Sequence, residues 1–334
     1  MIGTRTPFRM SFIGGGSDLK EFYTRSPGCV ISTTIDKYMY IFVHQYFENK
    51  IQIKYSKTEL VDRIKEIKHP IVREALKKFD LRGIDINSIA DIPAGTGLGS
   101  SSSYTVGLLH VLYAYTHNYV SAEKLAREAC ELEIDILKEP IGKQDQYAVA
   151  YGGLNVISFL PDGHVDVEPI IMDPMALETL QSNLLLFYVG STRKASNVLS
   201  DQKQNILTDK NKFNALSKMR DLTNDMQKCL VNSNLEQFGV ILDRNWQLKK
   251  SLSQKISATE IDDIYELGLK NGASGGKLLG AGGGGFILFY CEERYQKNLR
   301  NALSNIKELS FKFEGTGSKV IYVGDTLKRA IWQK

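Results

Sequence analysis

The chain has 334 residues, enough for two domains, and its 43% hydrophobic and 24% charged residues are ordinary for a globular protein. A net charge of +4 is too small to indicate a nucleic-acid partner, and the longest apolar runs are far shorter than the ~20 residues of a membrane span. The four cysteines are widely spaced without a Cys-x-x-Cys pair, which argues against a disulfide framework and, without a signal-peptide pattern, favours a cytoplasmic protein.

The first half of the chain predicts mainly strands with a few helices. Alternating apolar residues predict a first strand over residues 4–13, a β-meander over 29–56, and later strands over 83–89, 152–157 and 164–171. Helical spacing with Pro70 or Ser121 near the start predicts helices over 70–79 and 122–137, and another helix follows residue 100.

The second half is predicted to be richer in helix. A strand over 183–189 precedes helices over 212–230, 234–251 and 259–271; a further strand, a helix over 294–306 and two short strands follow. With a boundary near Asp173, the sequence predicts an α+β fold of two domains, residues 1–174 and 175–334.

Residues 93–103, the glycine–serine loop, form the most informative stretch. Three glycines at alternate positions precede four serines, between a predicted strand and a predicted helix. Glycines allow close backbone approach, and the first N–H groups of a helix favour an anion, so this junction suits a phosphate. The alternative is a serine N-cap after a flexible loop.

Two better-known phosphate loops are absent. No Gly-x-x-x-x-Gly-Lys-Ser/Thr occurs. Gly280, Gly282 and Gly285 form a Gly-x-Gly-x-x-Gly, but it leads into a strand-like run, whereas a dinucleotide-binding loop must lead into a helix.

Several carboxylates are candidates for chemistry, each with an ordinary structural alternative. Asp18 either caps a turn or binds a ligand, and Asp145 either caps a short helix or is catalytic. Glu131 and Glu133 lie on a largely apolar helix, where a carboxylate is either a solvated edge or a metal ligand.

Three motifs in this order, at residues 7–18, 93–103 and 277–285, together resemble the GHMP kinase superfamily over nearly the whole chain. The resemblance implies a kinase with ATP and Mg²⁺ bound between a half similar to ribosomal protein S5 domain 2 and a ferredoxin-like half. Phosphoryl transfer requires positioning, charge neutralisation and a group that orients the attacking hydroxyl.

The resemblance also implies roles for individual residues. Asp145 is the expected catalytic aspartate with Arg9 as its basic partner, and Ser101 and Glu133 are the expected magnesium ligands; Glu131 fits less well. The expected nucleotide-binding residues are Pro93, Gly95, Thr96, Gly97, Leu98, Gly99, Ser100, Ser101 and Ser102. The expected substrate-binding residues are Gly15, Gly16, Ser17, Asp18, Gly282 and Gly283.

The first motif also bears on the acceptor. Galactokinases carry Gly-Glu-His where this chain has Gly14-Gly15-Gly16, so the acidic sugar ligand is missing. The Gly-Gly-Gly-Ser-Asp-Leu run is instead similar to D-glycero-D-manno-heptose 7-phosphate kinases of surface-polysaccharide synthesis. That resemblance implies phosphorylation of the anomeric hydroxyl; a fucokinase-like or galactokinase-like kinase and a non-catalytic ligand-binding relative are the alternatives.

A phosphorylated acceptor requires a second group of cations. Arg193 and Lys194 follow a predicted buried strand, and we expect them to bind the 7-phosphate; the alternative is the solvated start of a helix. The expected partners are therefore ATP and a sugar phosphate, without nucleic acid or membrane, for a monomer or homodimer.

Overall fold

This computed structural model describes residues 1–191 and 195–324, and the strands of those residues form two sheets. The first sheet has the order β13-β1-β2-β5-β3-β4, with β12 and β6 also paired to β2, and β7 paired to β6. Its strands are β1 Ile2–Ile13, β2 Gly28–Gln45, β3 Ile51–Lys54, β4 Thr58–Val61, β5 Ile84–Ala90, β6 Asn155–Phe159, β7 Val165–Pro169, β12 Phe313–Glu314 and β13 Lys319–Val323.

The second sheet has the order β11-β8-β10-β9, all antiparallel. Its strands are β8 Leu184–Ser191, β9 Gly275–Leu278, β10 Gly284–Tyr290 and β11 Lys307–Glu308. The helices of the two halves are α1 Lys20–Tyr23, α2 Pro70–Phe79, α3 Ser100–Tyr115, α4 Ala122–Cys130, α5 Gln144–Tyr151, α6 Pro174–Ser182, α7 Ala195–Thr208, α8 Lys210–Val231, α9 Glu236–Leu252, α10 Thr259–Lys270 and α11 Glu293–Ala302. A 3₁₀ turn lies at Ile64–Glu66 and a π-helical segment at Glu131–Ile136. The predicted α+β class is confirmed, and the described strands form two sheets.

The β-meander predicted over residues 29–56 is wrong. One strand, β2, runs from Gly28 to Gln45, and β3 pairs with β4 and β5 instead of with β2. The alternating pattern is the same in both arrangements, because it specifies which face each side chain occupies and not which strand lies alongside.

Helix α3 lies at the centre of the first half. The sequence predicted one buried face, but residues 102–109 are all buried, so the helix is covered on every side there. It lies so close to β1 that a Cβ at Gly107 would come within 2.8 Å of Thr6 Oγ1, and Thr4 Oγ1 donates to the Gly107 carbonyl at 3.0 Å. This packing fixes where the N-terminus of α3, and the loop before it, must lie.

The chain passes between the two halves more than once. Leu19 and Phe22, directly after the first strand, pack into the core of the second sheet beside Trp246 and Phe289. At the other end, β12 pairs with β2 and β13 with β1, so the last described strands belong to the first sheet. The division of the chain at residue 174 stays a prediction, and any such division must assign these two strands to the first unit. No helix in the described ranges is long and apolar enough to cross a membrane.

Glu314 anchors β12 to the first sheet. Its carboxylate accepts from Tyr38 Oη at 2.5 Å, from Arg5 Nη2 at 3.1 Å, and from the amide and hydroxyl of Thr316 at 2.9 and 2.8 Å. Burial alone would raise the pKa of Glu314, but these hydrogen bonds and the charge of Arg5 outweigh it and hold the pKa at about 2.

We therefore expect Glu314→Gln to lower the free energy of unfolding at pH 7 by on the order of 2 kcal/mol. Because the folded pKa lies below the ordinary value of 4.5, the stabilisation is present above pH 4.5 and is lost as the pH falls through about 2. Urea unfolding at pH 7 and at lower pH should show the difference between variant and wild type shrinking. The exposed Glu266→Gln is the control, and an equal loss in both variants would contradict the anchoring role.

Candidate active site

Arg9 and Asp145 form a two-pronged ion pair at the junction of the two halves. Arg9 Nε donates to Asp145 Oδ1 at 2.7 Å and Arg9 Nη2 to Oδ2 at 2.6 Å. Arg9 Nη1 donates to the carbonyl of Gly97 at 2.6 Å, and the Arg9 amide to that of Leu98 at 3.0 Å. Strand β1 thus runs along the glycine–serine loop and fixes the orientation of a carboxylate on α5.

Asp145 does not cap α5. Lys143 occupies the N-cap position without a side-chain cap, and Asp145 lies in the first turn of the helix with both carboxylate oxygens turned to Arg9. The guanidinium side chain is only 4% exposed, whereas that of Asp145 is 24% exposed, so the carboxylate is the member of the pair that a ligand can reach.

The glycine–serine loop leads into an uncapped helix N-terminus. Gly99, with φ of 74°, is the N-cap residue of α3, and no side chain caps the helix. Ser101 and Ser102 instead donate to Glu133, and Ser103 to the carbonyls of Gly99 and Pro7. The serine N-cap alternative is therefore wrong, and the positive end of α3 is left for an anion.

Two glycine loops lie against each other backbone to backbone. A Cβ at Gly280 would come within 2.6 Å of Gly97 Cα, and one at Gly285 within 2.3 Å of the Thr96 carbonyl oxygen. Loop 280–285 continues into the strand β10, so it is not a dinucleotide loop. Its glycines let the second half of the molecule close over the glycine–serine loop.

The larger of two adjoining cavities lies at this contact. It is lined by the uncapped end of α3, both glycine loops, the ion pair and two acidic side chains: Arg9, Gly95, Gly97, Gly99, Ser100, Ser101, Ser102, Glu133, Glu139, Ile141, Asp145, Leu199, Leu279, Gly280, Ala281, Gly282 and Gly284. Backbone amides, hydroxyls and a guanidinium suit a phosphate chain.

Glu133 is a buried carboxylate in the wall of the larger cavity. Its Oε2 accepts from Ser102 Oγ at 3.0 Å and Gln146 Nε2 at 2.7 Å, while Oε1 accepts from Ser101 Oγ at 3.0 Å. The side chain belongs to the π-helical segment and is buried, whereas Glu131 is exposed, which separates the two candidates. Burial raises the pKa of Glu133, and within residues 1–191 and 195–324 only neutral groups bind it.

These oxygens fit a Mg²⁺ ion that also binds phosphates. Magnesium prefers oxygen ligands and keeps several waters, so one carboxylate and one hydroxyl beside a phosphate chain are sufficient. A buried carboxylate without a counter-ion favours a cation there. The described part of the chain contains no cluster of three or more His, Cys, Asp or Glu side chains that could hold a metal by itself.

The smaller cavity adjoins the larger one and shares Arg9 and Asp145 with it. Asp18 lies in its wall, 3% exposed, and accepts from the amides of Gly16 at 2.9 Å and Gln144 at 3.2 Å. Asp18 therefore does not cap α1 but joins loop 14–16 to the start of α5. Burial raises the pKa of Asp18, and the charge of Asp145 adds to the effect.

The structure distributes the other predicted site residues unevenly. Gly16 and Asp18 line the smaller cavity, but Ser17 is buried and donates to the Gly14 and Cys29 carbonyls. Gly282 lines the larger cavity, not the smaller one, and Gly283 lines neither. Pro93, Thr96 and Leu98 belong to the glycine–serine loop but line neither cavity. Gly15 also lines neither cavity, and a Cβ at this position would lie 3.5 Å from Gln144 Nε2. Arg193 and Lys194 lie outside the described residues.

Sequence reasoning missed three polar side chains of the smaller cavity, Gln144, Gln202 and Lys249. Gln144 is adjacent to Asp145, and its Oε1 accepts from Ser11 Oγ at 2.9 Å. Gln202 and Lys249 come from α7 and α9, far along the chain, so proximity to a motif gave no signal for them. The visible signal was that Lys249, like Asn245, is a polar residue on the otherwise apolar face of α9.

Comparison with known proteins agrees with this geometry. The profile "GHMP kinases N terminal domain" matches residues 50–153, and "GHMP kinases C terminal" matches 226–308. A D-glycero-alpha-D-manno-heptose 7-phosphate kinase of Campylobacter jejuni is 29% identical, over 95% of this chain and 98% of its own. A bifunctional fucokinase/GDP-fucose pyrophosphorylase of Arabidopsis thaliana is 26% identical over 92% of this chain and 31% of its own.

The fold is also shared with solved structures. The crystal structure of a D-glycero-D-manno-heptose 1-phosphate kinase from Bacteroides thetaiotaomicron superposes with a TM-score of 0.80 over 97% of this chain and 100% of that chain, at 24% identity. The two profile matches, one in each half of the molecule, place both halves in one family. The chain belongs to the GHMP kinases, which are ATP-dependent phosphotransferases.

Proposed function

We propose that the protein transfers the γ-phosphoryl group of ATP to the anomeric hydroxyl of D-glycero-D-manno-heptose 7-phosphate, giving the 1,7-bisphosphate for nucleotide-activated heptose and surface polysaccharide. The observation that carries the proposal is the position of the Arg9–Asp145 pair in the wall shared by both cavities. ATP phosphates in the larger cavity and a sugar in the smaller one would meet at this pair.

The residues supply the elements that phosphoryl transfer needs. The acceptor oxygen attacks the γ-phosphorus, the bond to the oxygen bridging to ADP breaks, and Asp145 orients the attacking hydroxyl and accepts its proton. Arg9 fixes the carboxylate by two hydrogen bonds and places positive charge beside the transferring group. Ser101 and Glu133 would hold Mg²⁺, which neutralises phosphate charge when bound.

The heptose acceptor is supported by likeness and by chemistry. The Campylobacter relative is named for that substrate and aligns over nearly its whole length. Loop 14–16 lacks the acidic side chain of galactokinases, and Asp18 is available for a sugar hydroxyl. The Arabidopsis relative favours a fucokinase as the second candidate.

ATP consumption against heptose 7-phosphate, heptose, fucose, galactose and mevalonate separates these candidates. We expect the highest kcat/KM with heptose 7-phosphate. A preference for fucose would favour the second candidate and overturn the heptose assignment.

We expect Asp145→Asn to lower kcat by roughly 10²–10⁴-fold, because the amide cannot accept the hydroxyl proton. The KM for ATP should change little, since the phosphate contacts lie on the glycine–serine loop. Asp166→Asn, at an exposed aspartate in β7 outside both cavities, is the matched control. Near wild-type turnover in Asp145→Asn would remove Asp145 from the mechanism.

Ser101→Ala and Glu133→Gln should each raise the Mg²⁺ concentration needed for half-maximal activity while the protein stays folded. Ser101→Ala removes an oxygen ligand, and Glu133→Gln removes the negative charge of one. Glu131→Gln is the control, because this exposed glutamate lies only two residues before Glu133. If Glu133→Gln melts early and titrates Mg²⁺ normally, its role is structural.

Arg193→Ala tests the predicted 7-phosphate contact. Loss of one charge-assisted hydrogen bond costs about 1.5–3 kcal/mol, so kcat/KM for the phosphorylated heptose should fall roughly ten- to a hundred-fold with the KM for ATP kept. Arg294→Ala, at an arginine whose side chain is 68% exposed, is the control. Equal wild-type activity on heptose with and without its 7-phosphate would contradict both the contact and the heptose 7-phosphate assignment.

A further inference from the structure

Helix α9 brings one polar side chain to each of two glycine loops, 14–16 and 280–285. Asn245 Oδ1 accepts from the Gly14 amide at 3.3 Å. One helical turn later, Lys249 Nζ donates to the Gly280 carbonyl at 2.7 Å. Both side chains are buried on the face of α9 that also carries Trp246 and Leu252. The Asn245 bond holds α9 against loop 14–16, and the Gly280 carbonyl fixes the position of the Lys249 ammonium.

Lys249 lines the smaller cavity and is only 4% exposed. Burial lowers its pKa to about 8, against the opposing effect of the negative charge of Asp18. Among residues 1–191 and 195–324, no carboxylate oxygen lies within 4.0 Å of Lys249 Nζ, so the ammonium has no ion pair there. The nearby Asp18 carboxylate is also buried in the same wall and has no ion pair of its own among these residues. Two opposite charges in the lining of one cavity, without an ion pair between them, can both bind the same ligand group.

The surroundings favour a hydroxyl over a phosphate at that point. A hydroxyl accepts a hydrogen bond from an ammonium and donates one to a carboxylate at the same time. A phosphate dianion bound there would face the carboxylate of Asp18, which has no ion pair among the described residues and disfavours it.

Gln202 gives an independent indication that this wall binds a ligand. Its side chain is 1% exposed and lines the smaller cavity, and its Nε2 has no hydrogen-bond partner in the described ranges. Buried amide groups are rarely left unpaired, because the lost hydrogen bonds to water cost free energy. An acceptor oxygen would satisfy this donor.

We propose that Lys249 is an acceptor-binding residue that donates a hydrogen bond to a sugar hydroxyl, whose own proton is directed to Asp18. This inference rests on the proposed kinase function but not on the identity of the sugar. It assigns part of the acceptor-site wall to α9 of the second half, beside loop 14–16 of the first, where a Cβ at Gly15 would lie 3.9 Å from Lys249 Nζ. The phosphate of a phosphorylated acceptor then lies elsewhere.

The test compares Lys249→Met with Lys250→Met in full-length protein. Methionine keeps the length and packing of the lysine stem but removes its charge and donors, and Lys250 is the next residue on α9, paired with Asp262 at 3.2 Å outside both cavities. The acceptor is the sugar of the panel with the highest wild-type kcat/KM, together with its monodeoxy analogues. Lys249→Met should raise the acceptor KM about ten- to a hundred-fold with the KM for ATP unchanged, and Lys250→Met should change neither.

The deoxy analogues distinguish contact from structural support. For the wild type, the acceptor KM should be higher for the analogue that lacks one particular hydroxyl. In Lys249→Met, this difference between analogue and parent sugar should largely disappear. If Lys249→Met does not fold, Lys249→Arg replaces it, and a smaller rise confined to the acceptor KM is expected because the guanidinium cannot occupy the same point.

Each negative result overturns a different claim about the enzyme. If the wild type is active and the Lys249 substitution changes neither the acceptor KM nor the effect of removing a hydroxyl, this inference alone is overturned. A wild type active only on another sugar overturns the heptose assignment and leaves the Lys249 test valid on that sugar. A wild type that turns over no sugar overturns the proposed function and this inference with it.

Discussion

The arrangement of the site depends on the ion pair between Arg9 and Asp145. Its two hydrogen bonds, at 2.7 and 2.6 Å, join the first strand to the first turn of α5, and a third bond from the same guanidinium reaches the Gly97 carbonyl. Because Arg9 is almost fully buried, losing its partner would leave an unpaired internal charge, at a typical cost of about 3–5 kcal/mol. The pair thus sets both the geometry of the reacting groups and the contact between strand, loop and helix.

The proposed phosphate-binding end of the site depends on backbone, and the proposed acceptor end on side chains. Helix α3 is buried on all sides near its start, which fixes its uncapped N-terminus, and loop 280–285 closes over it through contacts that no Cβ would allow. The lining of the smaller cavity instead includes polar side chains from both halves, Asp18 and Gln144 from the first and Gln202 and Lys249 from the second. Such a division suits a family with one nucleotide and several acceptors, because side chains can be exchanged without moving the phosphate loop.

Local patterns predicted local structure well and long-range pairing poorly. Proline and helical spacing gave α2 with the residues that the structure has, and the glycine–serine loop was placed correctly before α3. The β-meander failed because the neighbours of β2 come from four different parts of the chain, which alternation does not record. Glu133 could be chosen over Glu131 only through the family spacing, since a π-helical segment leaves no clear periodicity, and Lys249 was missed because nothing near it in sequence suggests a site.

The most direct test of the account is a crystal structure with Mg²⁺, a non-hydrolysable ATP analogue and heptose 7-phosphate bound together. We predict the γ-phosphate in the larger cavity beside Ser101 and Glu133, and the anomeric oxygen within about 2.6–3.2 Å of the Asp145 carboxylate. A nucleotide whose phosphates lie away from the N-terminus of α3, or a sugar whose anomeric oxygen is remote from Asp145, would contradict it.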